Sequence, residues 1–176
     1  MADSAVWVAA LTGGTAVLAG WVTNLGNVRA ARVQAEASAK AQQEGRVREL
    51  RRDAYLELMR CAHGMSELYW KAGEVRFRPA GPEGFLARIE ELRAEAREAY
   101  DPLMHSVRVI SLEGPGQLAE MAKAVLTAAT RTNGSLADIS REGPEAFARF
   151  DAAMEAYSTS LTAFVEAARD AMNEPP

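Results

Sequence analysis

The sequence predicts an all-α protein: an N-terminal transmembrane helix and a helical stalk leading into an antiparallel four-helix bundle. Three observations predict it. Residues 5–25 carry no charge. From residue 46 onward, apolar side chains recur at steps of three and four. Gly-Pro occurs at 81–82, 114–115 and 143–144, each time ahead of an apolar stripe. With 7% aromatic residues and abundant alanine, the composition favours closely packed helices. No window alternates with period two in β-branched residues, so no sheet is expected.

The first element is AVWVAALTGGTAVLAGWVTNL, residues 5–25, which follows a short extracytoplasmic N-terminus at 1–4. Twenty-one helical residues span about 31 Å, matching a hydrocarbon core of about 30 Å. Trp7 and Trp21 sit near its ends, where amphipathic rings prefer the interface. A cleaved signal peptide would carry a basic segment ahead of the apolar run. Here Met1–Ser4 is acidic, and Arg29, Arg32 and Lys40 follow the run instead. That asymmetry places the N-terminus outside the cell membrane and the C-terminal domain in the cytoplasm. Ala9, Gly13, Ala16 and Gly20 form a small-residue stripe suited to transmembrane self-association, although small residues are common throughout the chain.

Residues 26–45 read as a helical stalk rich in alanine, glutamine and charge, with Gly26 and Gly45 as candidate bends. Residues 46–176 read as the bundle. Its first stripe is Val47, Leu50, Ala54, Leu58, Cys61, Met65, Leu68 and Ala72. The second is Phe85, Ile89, Leu92, Ala96, Ala99, Leu103, Val107 and Ile110, and it keeps phase across Pro102. The third is Leu118, Met121, Val125 and Ala128, with Asn133-Gly134 expected to end its helix. The fourth is Phe147, Phe150, Met154, Tyr157, Leu161, Phe164 and Ala168. Short connections imply up-down-up-down order, with loops at 74–82 and 133–143 distal to the membrane.

The net charge of −4 hides an asymmetry. Residues 26–52 carry seven basic and three acidic side chains, whereas residues 53–176 carry 13 basic and 20 acidic ones. An acidic main domain is a poor partner for a phosphate backbone, so no nucleic-acid partner is expected. Arg46, Arg48, Arg51 and Arg52 would reach anionic lipid only if the stalk bends over. Upright, it holds Arg51 about 40 Å from the bilayer, far beyond the Debye length of about 8 Å. The single Cys61 excludes an intrachain disulfide.

Candidate chemistry is sparse. His63 and Glu67 are four apart on one helix with Cys61 near, but Cys61 belongs to the core stripe and no second ligand pair exists, so no metal site is expected. A di-iron bundle needs two Glu-x-x-His motifs, and neither His63 nor His105 has a glutamate three residues before it. Asp101 and His105 lack a nucleophile beside them and read as a surface ion pair. Neither a catalytic set nor a cofactor-binding motif appears. Arg76-Phe77-Arg78 places an aromatic between two cations on the distal loop. Phe77 tucked onto the bundle end is the plainer arrangement, yet these residues are the best candidates for a partner contact.

The anchor WVAALTGGTAVLAGWV, the segment RVRELRRDAYLELMRCA and the late FVEAARDAM, with 17 Arg against three Lys, resemble uncharacterised small single-pass membrane proteins of high-GC actinobacteria. The likeness spans the chain as a layout, implies no activity, and carries over no functional residue. The expectation is a membrane-anchored helical interaction or scaffold protein rather than an enzyme, needing no cofactor, with membrane lipid and a protein partner or a second copy as its contacts. The alternative is a membrane-active oligomer, a pore or a mobile-element transfer component.

Overall fold

A computed structural model describes the backbone of residues 2–77 and 81–173, with side chains from residue 31 onward. Four helices follow one another: α1 (Ala2–Glu74), α2 (Pro82–Glu113), α3 (Gly116–Glu142) and α4 (Phe147–Asn173). Short 3-10 turns cover Val75–Phe77 and Pro144–Ala146. No strand occurs among the described residues. The chain forms two compact units, Met1–Val47 and Arg48–Pro176.

In the first unit, every described side chain is exposed. The ion pairs Arg32–Glu36 and Lys40–Glu44 lie four residues apart on the helix. Gly45 lies within α1 and does not interrupt it. The uncharged run 5–25 and the stripe Ala9, Gly13, Ala16, Gly20 lie outside the residues whose side chains are described. Among the described residues no helix is long and apolar enough to cross a membrane.

The second unit is an antiparallel helical bundle. Along α1 and α2, Arg51 meets Glu113 while Cys61 meets Ser106. Along α2 and α3, Glu90 meets Ser140 while Tyr100 meets Thr130. Along α1 and α4, Tyr55 meets Phe164, Ala62 meets Tyr157 and Tyr69 meets Phe150. In each pair, one number rises as the other falls.

The core follows the expected stripes with two corrections. Val47 is exposed and Leu50 is 61% exposed, although the first stripe includes both. The reason is length: the Arg51 guanidinium already reaches the last carbonyl of α2, at 2.7 Å, so Leu50 has run past the helix that would cover it. The second correction concerns α3, which continues through Asn133-Gly134 to Glu142, so 133–143 is no loop. A mid-helix glycine costs about 1 kcal/mol relative to alanine. Extending the helix buries Leu136 and Ile139 fully, each worth roughly 1.5–3 kcal/mol, and burial wins.

Pro102 sits inside an unbroken α2. Its missing N–H leaves the carbonyl of Glu98 without its helical partner, and both residues are exposed, so water can take that bond. The helix ends are set by Gly and Pro. Pro82 occupies the first turn of α2. Gly143 closes α3, its N–H donating to the Ile139 carbonyl at 2.9 Å with φ at +84° and ψ at −158°. Only glycine occupies that backbone region readily.

Large rings and small alanines alternate in the interior. Tyr55, Tyr69, Phe150, Tyr157 and Phe164 line the α1–α4 seam in edge-to-face pairs, with Tyr69 and Tyr157 centroids 5.3 Å apart. Ala62, Ala72, Ala96, Ala122, Ala129 and Ala168 are fully or almost fully buried and let the backbones close around them. The buried hydroxyls all have partners. Tyr157 donates to the Ala62 carbonyl at 2.8 Å, Tyr69 reaches the Ala129 carbonyl and Asn133, and Thr132 bridges the Ala128 and Ala153 carbonyls. Burial raises the pKa of Tyr69 and Tyr157 well above the ordinary phenol value of 10.0.

Two measurements test this fold. Gly143→Ala should cost about 1–3 kcal/mol through its left-handed backbone, while Gly134→Ala, with open space around its added methyl, should stabilise by about 0.5–1 kcal/mol. Urea melts of the two variants should move in opposite directions, and a shared direction refutes the placement of α3 and its cap. Alkaline titration tests the buried phenols. Because their folded pKa is raised, the neutral form is favoured by the fold, and their contribution is whole below about pH 10 and lost as pH rises beyond it. Phenolate absorbance should show Tyr69 and Tyr157 ionising only together with loss of helical circular dichroism.

Candidate functional site

The end of the second unit that holds the α1–α2 connection presents its large exposed rings. Trp70 is 65% exposed near the C-terminus of α1, its indole N–H donating to Glu74 at 3.1 Å. Phe77 is 79% exposed at the end of the 3-10 turn that follows α1. Leu86, in the second turn of α2, is also exposed. Beneath them, Phe85 packs on the edge of buried Phe147, and Phe147 on Phe150, each at 6.2 Å between centroids.

Arg76 organises this end. Its Nη1 and Nη2 reach the two carboxylate oxygens of Asp151 on α4 at 2.7 and 2.9 Å, a bidentate pair. The same guanidinium lies 4.9 Å from the centre of the Phe147 ring and 5.1 Å from that of Phe77. It therefore sits between a buried ring and an exposed one, fixed by a carboxylate from the fourth helix. The hydrogen bond to Asp151 raises the Arg76 pKa further above an already high value. Both side chains remain partly exposed, so the pair contributes stiffness more than stability.

Of the three sequence candidates here, Arg76 is engaged within the fold, Phe77 stands out from it rather than tucking in, and Arg78 lies outside the described residues. The partner of Arg76 was not legible in sequence, because Asp151 is 75 residues away.

The remaining candidates stay apart. His63 and Glu67 form a surface pair at 3.4 Å. Cys61 is buried between Glu57 and Ser106, and burial pushes its thiol up, away from reactivity. Asp101 and His105 are both exposed and form no ion pair with each other, against expectation. No group of three metal-ligating side chains exists among the described residues. Arg51, a candidate lipid contact, instead caps the α2 C-terminus.

A cleft of about 590 Å3 between α2 and α3 was not foreseen. It opens where Arg93, Arg97 and Tyr100 face Thr130, Asn133 and Gly134. A third helix that stopped at Asn133-Gly134 would lack the wall that Leu136 and Ala137 supply.

Fold and surface together define a helical bundle with a stiffened aromatic end. The chain matches no protein-family model, no curated protein and no solved structure.

Removing the Arg76 fork should loosen Phe77. Arg76→Ala is expected to lower stability by only about 1 kcal/mol, while the order parameter at Phe77 drops from about 0.85 toward 0.6 or below. Unchanged relaxation at Phe77 in that variant refutes the bracing role.

Proposed function

We propose that this chain is a membrane-anchored interaction protein whose helical bundle offers the Trp70–Phe77 end to a protein partner. The observation that carries the reading is Phe77: a large ring, 79% exposed, on a segment held by the Arg76–Asp151 pair. Exposed aromatics beside arginine are the usual anchors of protein interfaces. An anchor held rigid before binding loses less conformational entropy on association, and that is what the fork between α4 and the turn supplies.

The anchor rests on sequence. Residues 5–25 form an uncharged run of spanning length within the backbone of α1, and basic residues follow it. On this reading the N-terminus lies outside, lipid surrounds residues 5–25, and the acidic bundle meets its partner in the cytoplasm. The acidic balance of residues 53–176 favours a protein partner over nucleic acid.

Native mass spectrometry of the full-length chain, released gently from its own membranes, tests the proposal. A complex with a second polypeptide is expected, and Phe77→Asp should dissociate it while leaving the circular dichroism unchanged. A bare monomer, or a complex indifferent to both Phe77→Asp and Trp70→Ala, overturns it.

A further inference from the structure

The cleft between α2 and α3 holds hydrogen-bond donors that the fold leaves unused. Arg93 and Arg97 are four residues apart and share one face of α2, with Tyr100 a turn further on. Arg93 spends one nitrogen on Glu90, at 3.1 Å. Arg97 is exposed and makes no hydrogen bond or ion pair among the described residues. Across the cleft, the Asn133 side-chain oxygen accepts from the buried Tyr69 hydroxyl at 2.9 Å. The single Tyr69 proton also reaches the Ala129 carbonyl at 3.0 Å, and whichever way the amide is turned its NH2 group keeps at least one N–H without a protein partner.

The other polar groups are already committed. Thr130 donates to the Leu126 carbonyl at 2.9 Å, so the Tyr100 hydroxyl, also at 2.9 Å, must donate to Thr130. Glu90 is taken up by Ser140 and Arg93, and the Ser140 hydrogen bond holds its carboxyl below the usual value, with Arg93 and Arg97 acting in the same direction. Asp101 also lines the cleft, and what remains open is the Arg97 guanidinium, the remaining N–H groups of Arg93 and an N–H of the Asn133 amide.

Gly134 adds an independent observation. It is helical, has no positive φ, and an added methyl would meet nothing within 4 Å. Neither backbone nor packing requires a glycine there, and mid-helix it weakens α3. It lines the cleft, where the absence of a side chain leaves that part of the wall open.

We propose that this cleft binds a small organic oxyanion, a carboxylate or a phosphate monoester. Arg97 grips the anion through its planar fork, Asn133 supplies a neutral donor from the opposite helix, and Arg93 adds positive potential. The volume lies within the range of about 300–1,000 Å3 that small-molecule sites occupy. This site is separate from the Phe77 end, and either can fail without the other.

Isotope-edited NMR of the full-length protein in detergent tests the proposal. Inorganic phosphate and succinate are titrated in turn against chloride at matched ionic strength. The expected result is saturable shifts at the Asn133 NH2, the Gly134 N–H and the Arg97 Nε–H, with the midpoint raised about tenfold or more in Arg97→Ala. Saturation by one anion alone identifies the oxyanion class and supports the site. Asn133→Asp keeps the acceptor for Tyr69 and replaces the donor with a charge, so it should abolish the shifts at Gly134. If that variant loses helix, the exposed Arg97→Ala decides the matter. Shifts that never saturate, that spread equally to Arg108 and Arg141, or that survive Arg97→Ala unchanged overturn the proposal.

Discussion

Two buried phenols organise the bundle. Tyr69 and Tyr157 stand edge to face in the seam between α1 and α4, and both are sealed from water. A buried hydroxyl without a partner costs roughly 1–3 kcal/mol, so each must find an acceptor. Each finds one on another helix: Tyr157 on the Ala62 carbonyl, Tyr69 on the Ala129 carbonyl and Asn133. Hydrophobic stripes alone would let helices slide or rotate against one another. These bonds fix register, because a slip of one turn strands a hydroxyl in an apolar interior. Asn133 also lines the α2–α3 cleft, so the same seam borders it.

The surface has a comparable division between groups that are used and groups that are free. Most ion pairs among the described residues join neighbours three or four residues apart, as Arg60 with Glu57 and Lys123 with Glu120, and contribute little. Arg76 and Arg51 are different, because each reaches across to another helix. Arg51 satisfies an orphaned carbonyl at the end of α2, and Arg76 clamps the turn after α1 to α4. The first caps the end of a helix, and the second lies against an exposed ring. Phe77 itself stays 79% exposed beside that clamp.

The sequence by itself determined the class of the fold. Steps of three and four in Ile89, Leu92, Ala96 and Leu103, or in Phe150, Tyr157, Phe164 and Ala168, place one buried face on each helix, and the structure buries those residues. Gly-Pro marked where α2, α3 and the turn before α4 begin, because proline and glycine act locally and need no tertiary partner. The uncharged run at 5–25 belongs to the same local kind of information.

Tertiary structure decided what local signals could not. Asn133-Gly134 reads as a stop, but Leu136 and Ile139 lie in reach of a core, and their burial outweighs the cost of one glycine. Leu50 continues a stripe yet stays exposed, since a stripe cannot know where its neighbour ends. The Arg76–Asp151 pair, the Tyr69–Asn133 bond and the cleft beside it join residues roughly 30 to 75 apart in the chain. Periodicity reports which face of a helix is buried. Which residue of one helix meets which residue of another depends on rotation, register and helix length, and these are set only when all four helices pack.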